Sequence, residues 1–132
     1  ILKKIGSTST MKLHKLLYYC QAWSLVWDDA PLFPERIEAW ANGPVVKSFF
    51  FFHKGQFSIS EVTIGNPDLL SIKQKETVDS VLGFYGDKTS QWLIDLTHLE
   101  SPWKDARKNL DVSQRGNSEI SHFSMAEYYS SL

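Results

Sequence analysis

The chain has 132 residues, room for one domain of ordinary size but not for two. At 42% hydrophobic and 14% aromatic it can build a core, which excludes a disordered tail, and 14 Lys+Arg against 15 Asp+Glu leave no general basic footprint for nucleic acid. A single cysteine, Cys20, excludes an intrachain disulfide framework or thiolate zinc cluster and suits a reducing cytoplasm, and no apolar run approaches the roughly 18 residues of a membrane span.

The chain opens on Ile1 with no signal-peptide pattern, and the expectation is that residues are missing upstream and the first helix is cut short. Ser7 to Thr10 offer N-cap hydroxyls to a helix over residues 11–27. On that helix Leu13, Leu16, Leu17, Cys20, Trp23 and Trp27 share one arc. Other apolar residues cover most of the remainder, leaving a narrow gap near Lys15 and Ala22. A helix apolar almost all round reads as buried and central. Lys3, Lys4, Lys12 and Lys15 gather near the start without interleaved aromatics, which reads as a solvated flank rather than a nucleic-acid module. Asp28 and Asp29, at the helix end, read as solvated loop charges.

Pro31 and Pro34 break the chain. Alternation across residues 37–42 predicts a short extended element, and Asn42-Gly43-Pro44 predicts a turn whose proline opens the next helix. That helix carries Phe49, Phe50, Phe51 and Phe52 and ends near Gly55. Residues 56–70 read as loop with one short strand around Val62 to Ile64. Ser71 and Gln74 form a capping box for a helix burying Val78, Val81, Leu82 and Tyr85, which Gly86 ends. A helix from Ser90 to Leu99 is expected to turn Trp92, Leu93, Leu96 and Leu99 inward. Another starts with Ser101 as N-cap and Pro102 as first residue, with Trp103, Ala106, Arg107 and Leu110 on one face. A second capping box, Ser124 with Glu127, is expected to start a last helix holding Tyr128 and Tyr129. The fold class is mainly α: a compact single-domain helical bundle over residues 1–132, built around a buried central helix, with a short extended or β element.

Chemistry is sparse. The sequence has no HExxH, GxSxG, P-loop or GxGxxG, so no metal, cofactor or catalytic residue is assigned. His14, His53, His98 and His122 are scattered and read as surface or capping residues. Cys20 reads as an inert core thiol. Arg107 follows Trp103 by one helical turn, so its guanidinium is expected to stack on the indole or to meet Glu100, Asp95 or Glu38. It is either a structural ion pair or an arginine shown to a partner.

The phenylalanine run poses a geometric problem, because successive helical side chains are about 100° apart. Val46, Phe49, Phe50 and His53 form one side, and Phe51 and Phe52 fall outside it. Burying a phenylalanine is worth about 1.5–3 kcal/mol, so two idle rings forgo about 3–6 kcal/mol. Either another molecule covers them, or this helix is sandwiched within the domain.

Three blocks carry a family resemblance: "MKLHKLLYYCQAWSL", "PLFPERIEAWANGPVV" and "LTHLESPWKDAR". Together they resemble the SocA-like antitoxin family, the Panacea domain, once described as phage-associated GepA-like proteins. The motif positions include Lys12, Lys15 and Gln21, then Glu38, Trp40, Gly43 and Pro44, then His98, Pro102, Trp103 and Arg107. The family commonly has proline where this chain has Lys47, and polar residues where it has Phe51 and Phe52. The resemblance implies a cytoplasmic antitoxin of a bacterial or prophage type II pair that neutralises a cognate toxin, encoded next door, by direct contact. In one type member the antitoxin is an adaptor that delivers its toxin to a cytoplasmic protease. The docking site is expected at Phe50, Phe51, Phe52 and Trp40, with a polar rim near Arg107. Two alternatives stay open: a small enzyme acting on a nucleotide or small molecule through His98, Arg107 and Glu100, and a homo-oligomeric scaffold.

Overall fold

The computed structural model describes residues 1–62, 65–111 and 113–132. In chain order these form α1 (Leu2–Ile5), β1 (Thr8–Ser9), α2 (Thr10–Trp27), β2 (Ile37–Trp40), β3 (Gly43–Val46), α3 (Lys47–His53) and β4 (Ser58–Ile59). A 3-10 turn (Pro67–Leu69) leads to α4 (Ile72–Tyr85), α5 (Ser90–Leu99), α6 (Ser101–Ala106), β5 (Glu119–Ile120) and α7 (His122–Ser130). The expected mainly helical domain with a small extended element is what the chain forms. No helix of the described residues is long and apolar enough to cross a membrane. Of the expected strand around Val62 to Ile64, Thr63 and Ile64 lie outside the described residues and Val62 is not in a strand.

α2 starts where the Ser9 hydroxyl accepts the Lys12 amide at 3.1 Å, one of the hydroxyls the sequence offered. It packs against α4, α5, α7 and β3. Contact on that many sides closes the gap expected near Lys15 and Ala22: both are buried, as are His14 and Gln21. Gln21 fastens the chain beyond the helix, its Oε1 accepting the amides of Leu32 and Phe33 and its Nε2 donating to the Phe33 carbonyl. Cys20 is fully enclosed, and burial pushes its thiol up to about 12. Asp28, read as a solvated charge, accepts the Thr77 hydroxyl at 2.6 Å and so joins the end of α2 to α4.

The core is unusually rich in tyrosine hydroxyls. Tyr19 stacks on Tyr85 with centroids 4.1 Å apart, and Glu100 Oε1 accepts the hydroxyls of Tyr19 and Tyr129 at 2.6 and 2.7 Å. Tyr129 also lies 3.0 Å from the Tyr18 hydroxyl. Glu100 is thus enclosed with its hydrogen bonds made, and burial raises its carboxyl above the ordinary range.

Three antiparallel strands run in the order β3-β2-β5, and β1 pairs with β4 in a separate ribbon. Ile37 lies opposite Val46 on one side and Ile120 on the other, a cross-strand apolar row facing the core. Here the expected helix start at Pro44 is corrected. Pro44 sits within β3, opposite Ala39, and α3 begins at Lys47. β3 is an edge strand, where a residue without an N–H leaves no ladder bond broken. β5 falls in a stretch expected to be loop.

Other boundaries shift for local reasons. Glu100, not Ser101, is the N-cap of α6, which places Pro102 at the second helical position. On α5, Leu93, Ile94 and Thr97 are the buried residues. Trp92 and Leu99, expected inward, face out, and Trp92 carries the Lys88 ammonium 5.1 Å from its ring centroid. The capping box at Ser71 and Gln74 forms as read. The one expected at Ser124 and Glu127 does not: Ser121 caps α7, accepting the Ser124 amide at 3.0 Å. Ser121→Ala is therefore expected to cost about 1 kcal/mol in a urea melt, and Ser124→Ala well under half of that. Equal losses would contradict the assignment.

Candidate protein-docking surface

The three motif blocks converge on the β2–β3 hairpin. From α2, Lys15 Nζ donates to the Pro44 carbonyl at 3.1 Å, and His14 Nδ1 accepts the Val46 amide at 3.1 Å. From α6, Trp103 Nε1 donates to the Trp40 carbonyl at 2.8 Å, and Arg107 donates to the Ala39 carbonyl at 3.0 Å. Gly43 lets these parts meet. Its φ of +107° is a left-handed value, and an added Cβ would lie 2.5 Å from Lys15 Cε. Lys12, also in the motif, donates to the Gly86 carbonyl at 2.7 Å and ties α2 to the end of α4.

Val46, buried at the end of this hairpin, hands the chain to α3, so the hairpin fixes where the phenylalanines point. Phe49 meets the His14 ring edge-on at 5.6 Å and packs against the core. Phe50 meets Trp40 edge-on at 5.0 Å, and both are half-buried. Phe51 and Phe52 remain 62% and 59% exposed. Phe51 touches the Phe50 ring, while Phe52 lines an apolar groove of about 650 Å³ with Leu13, Leu17, Phe33, Phe49 and Leu70. Helical geometry therefore leaves both rings off the core face, as the spacing required. α3 stands as an aromatic ridge between that groove and a second, larger hollow.

That second hollow, a cleft of about 920 Å³, lies between the start of α2, the β2–β3 hairpin and the end of α3, and residues 115–117 also line it. His14 and His53, expected at the surface or at caps, are buried at its base with their Nε2 atoms 2.6 Å apart. Because His14 Nδ1 accepts the Val46 amide, the neutral His14 ring carries its proton on Nε2 and donates it to His53 Nε2. Burial, with the Lys15 charge nearby, pushes His14 down to about 3, so the donor ring stays neutral near neutral pH. The pair tethers α3 to α2. Lys15, 1% exposed, is pushed down to about 7 by the same enclosure.

Glu38, likewise buried, accepts the Trp40 indole N–H at 2.9 Å and pairs with Arg36 at 3.0 Å and Lys47 at 3.9 Å. Its charge is doubly matched, and it holds the Trp40 ring that forms one wall of the cleft.

The remaining expected site residues separate. Arg107 lies over the Trp103 ring at 5.1 Å, as the spacing suggested, but it is 3% exposed. The acid expected beside it is replaced by main-chain carbonyls of Ala39, Asp111 and Gln114. Glu38 serves Arg36 and Lys47, Glu100 serves the tyrosines, and Asp95 accepts from Gln91. His98 stacks on Trp103 at 3.9 Å. His98 and Arg107 thus both pack on the Trp103 ring, while Glu100 is spent on the tyrosine hydroxyls, so the three side chains do not converge on one site. Sequence reasoning missed the His14–His53 pair and the cationic residues Lys54 and Arg115 beside the cleft. The one signal was His53 standing one heptad after Val46 on the buried face of the phenylalanine helix.

The family model described as antitoxin SocA-like, Panacea domain, matches residues 13–104. That span takes in most of α2, the hairpin, α3, α4, α5 and most of α6. No curated protein and no solved structure matches the chain.

Proposed function

The chain belongs to the SocA-like antitoxin family, as a Panacea domain, and we propose that it is the antitoxin of a bacterial or prophage type II pair, neutralising a cognate toxin by direct contact. The observation that carries this reading is the exposure of Phe51 and Phe52 on a helix whose opposite side, Phe49 and His53, packs into the domain. Water gains nothing from two adjacent phenylalanine rings, and covering them stabilises a complex by about 1.5–3 kcal/mol each before the costs of association. Phe50, Phe51, Phe52 and Trp40 supply the contact. Arg107, turned inward, serves from behind by holding the strand that carries Trp40. The cognate toxin is encoded beside the antitoxin and meets it in the cytoplasm. The domain acts by binding, with no chemical step of its own.

Co-expression with the adjacent open reading frame tests the reading, scored by rescue of growth and by co-purification. Phe51→Asp/Phe52→Asp is expected to leave the circular-dichroism melt unchanged and to weaken the complex about 30-fold, or about 2 kcal/mol, with loss of rescue. A folded double variant that rescues fully removes the ridge from the interface. Rescue that persists in a host lacking its cytoplasmic protease is masking; rescue that disappears there is delivery to the protease. Light scattering on the isolated chain separates a toxin-binding monomer from a homo-oligomeric scaffold.

A further inference from the structure

The cleft beside the ridge is charged as well as apolar. Lys54 and Arg115 line it with exposed charge, while Lys47 is paired with the cleft's single carboxylate, Glu38, and Lys15 is enclosed. Glu38 is already matched by Arg36 and Lys47, so it does nothing to offset the others. Neither Lys54 nor Arg115 takes part in an ion pair among the described residues, and both are exposed. The whole chain has a net charge of −1, so this concentration of positive charge is local. Trp40 and Phe50 form an apolar wall that is also one flank of the ridge. At about 920 Å³ the cleft is large enough to take up a short stretch of peptide with its side chains.

We propose that this cleft receives an acidic, aromatic segment of the protein that docks on the ridge, the ring lying against Trp40 and Phe50 and the carboxylates meeting Lys54 and Arg115. The inference rests on the ridge being a docking surface and adds the chemistry of what enters beside it. Charge complementarity selects an acidic segment over a basic or neutral one. Continuity through Trp40 and Phe50 selects a segment of the docked protein over a separate small molecule. Exposed lysine and arginine at a cleft mouth steer an acidic partner by long-range attraction, so association should slow as salt rises.

Two variants make the test. A random peptide library displayed on phage is panned on the wild-type chain, and the recovered peptides are then measured against Lys54→Glu/Arg115→Glu and against Lys104→Glu/Lys108→Glu as a charge-matched control elsewhere. The expected result is recovery of sequences pairing Asp or Glu with an aromatic residue. Their affinity should fall about 10-fold or more in the cleft variant and with added salt, and stay unchanged in the control. Recovered peptides without acidic enrichment, or equal affinity for all three proteins, overturn the proposal, as does displacement of the peptides by adenosine triphosphate at concentrations that saturate the cleft. In the rescue assay the two readings part company. Rescue lost with the phenylalanine variant but intact with the cleft variant overturns the acidic-segment inference and leaves the ridge standing. Rescue lost with both variants supports the inference, whereas rescue lost with the cleft variant alone overturns the ridge and with it a segment of a ridge-docked protein.

Discussion

Lowering the pH from about 9 to about 7 is expected to destabilise the wild-type chain by about 2 kcal/mol, and Lys15→Met to abolish that slope. An unfolded lysine keeps its proton up to about pH 10.5, whereas enclosure holds Lys15 down to about 7 in the folded chain. Between those values the unfolded chain binds more protons, so stability rises with pH. The favourable contribution is complete above about pH 10.5, shrinks as the pH falls, and is gone below about 7. A separation of roughly 3.5 units corresponds to about 5 kcal/mol in total. His14 follows the same sign in a lower window: its folded value of about 3 lies under the ordinary 6.5, so its contribution is lost as the pH falls from about 6.5 towards 3. Urea melts at several pH values between about 7 and 9 read the lysine against a smaller opposing slope from Cys20, whose buried thiol sits at about 12 while the unfolded thiol ionises at about 8.5. A wild-type slope that persists in Lys15→Met would show that another group is responsible. Methionine is close to lysine in length and keeps the packing against Gly43 while giving up the bond to the Pro44 carbonyl.

Arg107→Ala is expected to destabilise the domain by about 3–4 kcal/mol, and Arg107→Lys to recover about 1 kcal/mol of that. The guanidinium joins β2 to the segment that follows α6 through the main-chain carbonyls of Ala39, Asp111 and Gln114, among others, while covering the Trp103 ring. Truncation leaves the buried Ala39 carbonyl without its donor and removes the ring contact, both costly where water does not enter. Lysine restores a charge but not a planar fork reaching several acceptors at once. Chemical denaturation monitored by tryptophan fluorescence measures both variants. A loss below about 1 kcal/mol for alanine would show that the carbonyls find water instead. Because β2 carries Trp40, the same variant should also weaken partner binding, and lysine should restore binding in proportion to stability. Arg107 would then act through the strand it holds and not as a contact residue.

How far the sequence could be read depended on how local each decision was. The Ser71–Gln74 box closes within one turn of backbone, and the α5 boundaries follow from nearby residues, so both were legible. The start of α3 was not. Asn-Gly-Pro followed by a run of rings reads as turn then helix, and only the pairing of Pro44 with Ala39 across the hairpin draws Gly43–Val46 into a strand. The cap of α7 went to Ser121 rather than Ser124 because β5 ends immediately before it and brings the chain to the helix from the sheet. β5 itself was invisible: two residues have no periodicity, and their partner stands about eighty positions earlier. At the candidate site, the exclusion of Phe51 and Phe52 from the core face followed from helical spacing. The cleft beside them did not, since Lys15, Glu38, Lys54 and Arg115 come from four separate parts of the chain.

By itself, then, the order of residues determined one mainly helical domain, a central helix with almost no polar face, four phenylalanines that no single face can hold, and membership of a family. These are consequences of local periodicity, capping chemistry and block spacing, each settled within a few turns of chain. Tertiary structure alone decided that Lys15, His14 and His53 are enclosed, that Arg107 grips carbonyls instead of an acid, and that positive charge collects beside the ridge. Desolvation and pairing depend on which distant segments close over a group, and that is a property of the assembled fold.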